Sequence, residues 1–393
     1  MQSRQKTVVS VLVMVSLAHL LNDMLQSVIP AIYPMLKEKF AFSFLQIGAI
    51  TLVTQLTSSL LQPIVGYISD KKPKPYSLAV GMCFTLAGIL LLAFANSFAW
   101  ILVAVAFAGC GSSVLHPEAS KIARLGSGGA KGLAQSVFQV GGNVGRSFGP
   151  IIVALAVLPR GQQSISWLSV FAILAILVSI RLGHWYRDQL TVIGRLKSKH
   201  DIDSEGRLSR KQVTLALVVL LILMFSKDFY FTNLQNYLTF YLIDKFGISI
   251  VASQYCLFAF LISSAIGLII GGRLGDLYGR KYVIWGSILG AAPFALLLPY
   301  TNLLWTIVLA ITVGMVMSSA MSAILVYATD MLPGNVGMIS GAFFGLSFGL
   351  GGIGSAVFGW MADVWSIQLV FQLTAFLPLL GLVAYWLPKD KLE

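Results

Sequence analysis

Apolar stretches separated by short polar segments recur along the whole chain. About twelve of them reach the roughly 20 residues that an α-helix needs to cross the hydrocarbon core of a bilayer. The predicted spans are 8–36, 44–69, 77–95, 98–124, 131–158, 165–186, 212–243, 248–274, 282–300, 303–330, 336–361 and 366–387. The pattern therefore predicts an all-α polytopic membrane protein with twelve transmembrane helices.

One long polar interval divides these spans into six and six. We interpret 1–187 as an N-terminal six-helix bundle, 188–211 as a cytoplasmic linker and 212–393 as a C-terminal six-helix bundle. The halves match at an offset of about 206 residues, which places Gly66 and Asp70 on Gly272 and Asp276. Two similar bundles around one site can open alternately to each side of a membrane, so the duplication favours a transporter.

The basic residues are distributed unevenly along the predicted spans. The chain is 57% hydrophobic with a formal net charge of +12. Among the basic residues at the ends of the predicted spans, only Lys37, Lys39, Arg160 and Lys245 fall on one side, and the others fall on the opposite side. By the positive-inside rule, both termini are expected in the cytoplasm. Because membrane topology explains the charge, we do not expect a nucleic-acid partner.

Several functional classes have no sequence support. The cysteines, Cys83, Cys110 and Cys256, all lie within apolar spans, where no extracellular disulfide framework is expected. The first span is too long for a signal-peptide core and is expected to remain as a helix. The sequence contains no His-Glu-x-x-His motif, Walker loop or cysteine cluster. We therefore expect neither an enzyme nor a bound cofactor or metal, and transport energy would come from an ion gradient.

The segment 272–281, Gly-Arg-Leu-Gly-Asp-Leu-Tyr-Gly-Arg-Lys, follows the eighth span. It resembles the signature that the major facilitator superfamily carries between the second and third helix of each half. The resemblance implies a cytoplasmic latch for the outward-open state, formed by Asp276, Arg280 and Lys281, with Asp70 in the first copy. In the first copy Lys-Pro-Lys-Pro at 72–75 replaces the Gly-Arg-Lys segment. An ordinary glycine-rich turn with solvated charges is the alternative.

Ionisable and amide side chains inside apolar spans are costly in lipid and usually face a cavity or a partner. They recur at helical spacing on the first span (His19, Asn22, Asp23, Gln26) and on the fifth (Gln135, Gln139, Asn143, Arg146), and others lie in the seventh (Lys227, Asp228) and around Pro117 in the fourth (His116, Glu118). Asp23 and Arg146 each lie about 16 residues, or roughly 24 Å, from their predicted cytoplasmic ends. The sequence therefore predicts a buried Asp23–Arg146 ion pair, with Asp228 as the counterpart of Asp23.

A buried acid changes its protonation with its surroundings, and histidine titrates near neutral pH. The candidate proton carriers are Asp23, His19, His116, Glu118 and Asp228. Arg146 and Lys227 are candidate ligands for an anion such as a phosphonate, because arginine can hold two oxygens at once. Asn22, Gln26, Gln139 and Asn143 are candidate polar contacts, and Phe138, Tyr230 and Tyr237 are candidate aromatic walls of an amphipathic cavity. The alternative is that these groups only join helices together.

Three segments, 19–27, 111–120 and 135–143, together resemble the fosmidomycin-resistance group of drug exporters within this superfamily. The glycine-rich fifth span, which ends in Gly149-Pro150, also resembles a motif of the superfamily's antiporters. The resemblance implies a monomeric, proton-coupled antiporter that exports small amphipathic or anionic drugs across the inner membrane of a bacterium. The alternatives are export of an endogenous metabolite or siderophore, and import of a small anion by proton symport.

Overall fold

The computed structural model describes residues 7–128, 131–195, 210–331 and 336–387, and in these ranges it contains helices and connecting turns but no β-strand. The first half comprises α1 (Val9–Ala31, continued by Tyr33–Phe40), α2 (Phe44–Lys71), α3 (Ser77–Phe94), α4 (Phe98–Gly126), α5 (Lys131–Ile152, continued by Val153–Val157 and Leu158–Arg160) and α6 (Ser169–Arg195, preceded by Gln162–Leu168). The second half comprises α7 (Arg210–Phe246), α8 (Ile250–Tyr278), α9 (Arg280–Gly290, continued by Ala292–Leu297), α10 (Leu303–Ser318 and Ala320–Met331), α11 (Val336–Val364) and α12 (Ile367–Thr374 and Leu377–Trp386).

These helices confirm the predicted all-α membrane fold. In the described ranges, 11 helices are long and apolar enough to cross a bilayer. The remaining one, α10, is divided at Ser319, which leaves Leu303–Ser318 as a shorter apolar segment. Helix α6 continues to Arg195, so the first part of the interval that we assigned to the linker is helical. The rest of that interval, 196–209, lies outside the described residues.

Five of the helices begin with a side chain that caps the backbone. The cap accepts a hydrogen bond from the backbone N–H three residues later at the start of α2, α4, α8, α10 and α12 (Ser43, Ser97, Ser249, Asn302 and Ser366). Since successive helices run in opposite directions, all these starts lie at the same end of the bundle. Each cap satisfies one of the N–H groups that the first turn leaves without a partner.

Within the first half, α1 and α5 pack backbone against backbone. A Cβ atom at Gly145 would lie 2.1 Å from the carbonyl oxygen of Leu20, and one at Gly141 would lie 2.3 Å from that of Ser16. Neither position leaves room for a side chain. Close approach of this kind is a main source of helix association in lipid, which supports the packing interpretation of the glycines in the fifth span.

The two halves meet most closely where α2 begins and α11 ends, which we call the Phe44 end. A Cβ atom at Gly48 would lie 2.5 Å from the carbonyl oxygen of Ser355, and one at Gly359 would lie 2.2 Å from that of Phe44. Further along the same helices, a Cβ atom at Gly345 would lie 3.3 Å from the carbonyl oxygen of Ser59. The halves are therefore packed together at the Phe44 end, and their separation increases away from it.

A carboxylate from the second half holds this contact. Asp363, at the end of α11, accepts hydrogen bonds of 2.7 Å from the backbone N–H groups of both Phe44 and Leu45. These are the first residues of α2, where the helix dipole favours a negative charge. A second bond between the halves runs from the Gln254 amide nitrogen to the carbonyl oxygen of Ala31, at 2.9 Å. Opening of the protein at the Phe44 end would require all three of these hydrogen bonds to break.

Replacing Asp363 with alanine should shift the protein toward a state that is open at the Phe44 end. Two charge-assisted but exposed bonds are lost, so we expect a shift of about 1 kcal/mol, or roughly fivefold in population. Spin labels at the exposed positions Trp100 and Trp305, which start α4 and α10, would report longer distances in double electron–electron resonance. Asp244→Ala is the matched control, because Asp244 accepts a bond from Gln368 within the second half. Equal distance distributions for the two variants would contradict the prediction.

Candidate functional site

A cavity of about 180 Å³ lies between the two halves. This is roughly ten times the space that a single buried water requires. Its described wall comes from α1, α2, α4 and α5 of the first half and from α7, α8, α10 and α11 of the second. These two sets correspond to each other under the duplication, so the cavity lies on the pseudo-symmetry axis, where a duplicated transporter is expected to bind its substrate.

Nine of the fourteen residues predicted for proton coupling or substrate binding line this cavity. They are His19, Asp23, Gln26, His116, Gln139, Asn143, Arg146, Lys227 and Asp228. These residues come from four helices of two halves, and the structure brings them to one chamber.

The Asp23 carboxylate makes polar contacts with three side chains of the first half. Its side chain is only 5% exposed, and its Oδ2 atom lies 3.0 Å from Nη2 of Arg146 and 3.4 Å from Nε2 of His19. Its Oδ1 atom accepts a bond of 3.0 Å from the amide of Asn22. The ion pair that the depth argument predicted is therefore present. Arg146 of α5 thus supplies the cation that compensates this buried charge.

His19 is oriented by the backbone of α5. Its Nδ1 atom lies 2.8 Å from the carbonyl oxygen of Phe138, which only accepts, so Nδ1 carries a hydrogen and donates it. The imidazole also stacks on the Phe138 ring, with centroids 4.2 Å apart. Gly142 makes room for the ring, since a Cβ atom there would lie 2.2 Å from Nε2. The Nε2 atom is consequently the one directed at Asp23.

His116 adds a second imidazole from α4. Its ring centre lies 5.1 Å from that of His19 and 5.5 Å from the ring of Phe348 on α11. His116 therefore lies between His19 of the first half and Phe348 of the second. Helix α4 runs without interruption through Pro117, so the proline does not divide the helix at this point.

The second half holds a separate ion pair on the opposite wall. The Lys227 ammonium lies 2.8 Å from Oδ1 of Asp228, and Ser347 of α11 donates a hydrogen bond to the other carboxylate oxygen. Both charged side chains are nearly buried, at 8% and 9% exposure. The two halves thus present one acid and one cation each, but with different chemistry around them.

The other five residues predicted for proton coupling or substrate binding do not line the cavity in this structure. Phe138, Tyr230 and Tyr237 are fully buried in helix contacts, and Asn22 and Glu118 are also buried. Tyr237 donates a hydrogen bond of 2.7 Å to the carbonyl oxygen of Ser355 at the contact between the halves. The aromatic wall is instead formed by Tyr33, Phe231 and Phe348. A shift of one residue on α7 rotates a side chain by about 100°, which is why Phe231 and not Tyr230 faces the cavity.

The sequence interpretation also missed polar wall residues on α7 and α2. Gln235 and Asn236 line the cavity, as does Gln55 of α2. Gln235 lies seven residues after Asp228, so the helical periodicity that identified the polar face of α1 could have identified it. Gln55 has no such charged neighbour on α2, and only the packing of the halves places it here.

Of the four predicted latch residues, the structure describes the side chains of Arg280 and Lys281. Asp70 and Asp276 lie on α2 and α8, but their side chains fall outside the described residues. Lys281 donates hydrogen bonds to the carbonyl oxygens of Tyr385, at 3.1 Å, and Leu387, and so holds the end of α12 against α9. Arg280 begins α9. The latch therefore stays a prediction.

Comparison with known proteins identifies relatives along the whole chain. The sequence profile of the Major Facilitator Superfamily matches residues 15–252 and 217–393. The fosmidomycin resistance protein of Escherichia coli (strain K12) is 53% identical over 389 residues, which cover 99% of this chain and 95% of that protein. An uncharacterized MFS-type transporter of Bacillus subtilis (strain 168) is 38% identical over 385 residues, covering 98% of this chain and 94% of that one.

The fold is also shared with solved transporters. A bacterial homologue of the human lysosomal transporter Spinster, in an inward-facing and occupied conformation, superposes with a TM-score of 0.72 at 15% identity, over 97% of this chain and 94% of that one. At this level of identity the likeness concerns the fold alone.

Removing one partner of the second ion pair should destabilise the protein more than removing both. Lys227→Met leaves the Asp228 charge buried without its cation, so the free energy of unfolding should fall by roughly 3–5 kcal/mol. The double variant Lys227→Met/Asp228→Leu removes that uncompensated charge and should recover much of the loss. Thermal unfolding in detergent would measure both. If the double variant is less stable than the single one, the pair does not behave as a buried ion pair.

Proposed function

Because this chain belongs to the major facilitator superfamily and is a multi-pass membrane transporter, we propose that it exports small amphipathic or anionic compounds, fosmidomycin-like antibiotics among them, in exchange for protons. The observation that carries the proposal is the Asp23 carboxylate, which contacts both Arg146 and His19 on the wall of the central cavity. Asp23 thus contacts both a histidine that can exchange protons and an arginine that can bind an anionic substrate.

Two cations face the cavity from opposite halves. The Arg146 side chain is 28% exposed and has donors beyond the one that Asp23 occupies, so it can bind an anionic group without first leaving Asp23. Lys227 is more deeply buried and fully paired with Asp228. We assign the initial substrate contact to Arg146, with the amides of Gln139 and Asn143 beside it. The 53% identical relative is named for resistance to fosmidomycin, which supports this substrate class.

Antiport requires that the proton and the substrate exclude each other. A substrate that donates hydrogen bonds to Asp23 binds the ionised carboxylate more tightly than the neutral acid, so loss of the proton favours substrate binding. Protonation of Asp23 removes the negative charge and turns one oxygen into a donor, which weakens the contact and favours release of the substrate. The carboxylate is therefore the group at which the two ligands compete.

The direction of access follows from the contact between the halves. The cavity is closed at the Phe44 end, where Asp363 and Gln254 join the halves. With the positive-inside orientation in a bacterial inner membrane, both termini lie in the cytoplasm and the Phe44 end faces the opposite side. The described state is then the one that loads substrate from the cytoplasm.

One observation favours a second candidate, import of a small anion by proton symport. An anion that takes the guanidinium donor now bound to Asp23 separates the carboxylate from its cation, and Asp23 can then bind a proton. Anion and proton would then bind together. The two mechanisms thus differ in how the substrate binds. In antiport it donates hydrogen bonds to Asp23, and in symport it replaces Asp23 on Arg146 as an anion.

Proteoliposomes with an imposed pH gradient distinguish these candidates. For an antiporter, labelled fosmidomycin should accumulate when the interior is acidic, because protons leaving the vesicle drive it in. A symporter should accumulate it when the exterior is acidic. A sodium gradient at equal pH tests the other common coupling ion. No accumulation under any gradient, with export of a metabolite or siderophore in cells, would support the endogenous-substrate alternative.

Asp23→Asn should abolish gradient-driven accumulation, because the amide keeps the shape of the side chain but cannot carry the proton. Exchange of labelled for unlabelled substrate, which needs no net proton movement, should persist. Asp188→Asn is the matched control, since Asp188 lies exposed on α6 at 71% and far from the cavity. Normal pH-driven accumulation by the Asp23 variant would exclude Asp23 as the proton carrier.

A further inference from the structure

Three side chains that commonly bind metals converge on the wall of the cavity. His19 and Asp23 lie one turn apart on α1, and His116 comes from α4. One donor atom from each residue lies within 4.8 Å of the others, and all three residues are buried. Two imidazoles and one carboxylate form a ligand set that suits divalent first-row metals such as zinc, cobalt and nickel.

The geometry of His19 is that of a prepared ligand. Its Nδ1 atom donates to the Phe138 carbonyl at 2.8 Å, the support that a metal-binding histidine usually has on its second nitrogen. Its Nε2 atom is buried and makes no hydrogen bond in the described structure. The distance from Nε2 to Asp23 Oδ2 is 3.4 Å. Two ligands on one tetrahedral zinc ion are separated by roughly 3.3 Å, since each bond is about 2.0–2.1 Å long.

His116 completes the set from the cavity side. Its ring centre lies 5.1 Å from that of His19, so a small movement of α4 or a change of its side-chain torsions brings its nitrogen into bonding distance. Because His19, Asp23 and His116 all line the cavity, an ion has a route of entry and one coordination position stays open toward the chamber.

We propose that His19, Asp23 and His116 form a binding site for a divalent transition-metal ion of the zinc class. The open position takes a water molecule or an anionic oxygen from the cavity. Arg146 opposes the ion, because its guanidinium lies 3.0 Å from the carboxylate oxygen that would bind the metal. Metal binding and the Asp23–Arg146 ion pair therefore compete for one carboxylate.

This competition gives the site a signature that adventitious binding to surface histidines lacks. Loss of a ligand should weaken metal binding, whereas loss of Arg146 should strengthen it by removing a positive charge beside the ion. The site does not depend on the transport cycle, so it can be measured in detergent without a gradient or substrate.

The experiment uses the full-length protein with its affinity tag removed. Titration with Co²⁺ should produce a saturable visible absorption band with one ion per chain, and calorimetry with Zn²⁺ should give the affinity. We expect His116→Ala to weaken Zn²⁺ binding at least about tenfold, as the loss of a ligand or its support commonly does. Arg146→Gln should tighten it. His184→Ala is the matched control, because His184 is an exposed residue of α6 outside the cluster, and it should have no effect.

Several results would overturn the proposal. One is a Co²⁺ spectrum unchanged from that of the aquated ion. A second is an equal loss of Zn²⁺ affinity in His116→Ala and His184→Ala. A third is weaker Zn²⁺ binding by an Arg146→Gln protein that elutes and unfolds like the wild type. If the His116→Ala variant misfolds, Arg146→Gln still tests the site, because misfolding cannot produce a gain of Zn²⁺ affinity. Proton-coupled transport by a protein that binds no metal would leave the proposed function intact and exclude only this site.

Discussion

The contact between the Asp23 carboxylate and the Arg146 guanidinium is the interaction on which the interior of this protein depends. A charge in the middle of a bilayer needs a partner, and here each group supplies it for the other across two helices, α1 and α5. The glycines of α5 let α1 approach closely enough for that contact. His19 then packs between the same two helices, so that packing, charge pairing and candidate chemistry share one small region.

Duplication produces two bundles with the same helix arrangement, but it does not make their chemistry equal. The first half surrounds its acid with two imidazoles and a guanidinium, whereas the second pairs Asp228 with Lys227 and Ser347. An imidazole can change charge near neutral pH and an ammonium normally cannot. We therefore assign the proposed proton exchange to the first half, and to the second a fixed contact that keeps α7 and α11 together.

Much of the candidate site could be predicted because lipid restricts where polar residues lie. His19, Asp23, Arg146 and Lys227 were found from their cost in an apolar span, and the structure places them on one cavity. The aromatic predictions were less successful, since a phenyl or phenol ring is stable against lipid, in a helix contact or in a cavity. Tyr230 and Tyr237 occupy helix contacts. Gln55 was missed because nothing in its own span marks the face of α2 that meets the other half.

The amino-acid sequence alone determined the number and type of helices, because each crossing of a bilayer requires an apolar helix of about 20 residues. Matching segments in the two halves indicated the duplication, and motifs indicated the family. The sequence also determined the depth of Asp23 and Arg146, and hence that they pair. Only the tertiary structure decided that the halves are closed at the Phe44 end, that Asp363 caps α2, and that His116 lies beside His19. These contacts join residues far apart in the chain, and their geometry depends on how whole helices pack, which no local pattern of residues specifies.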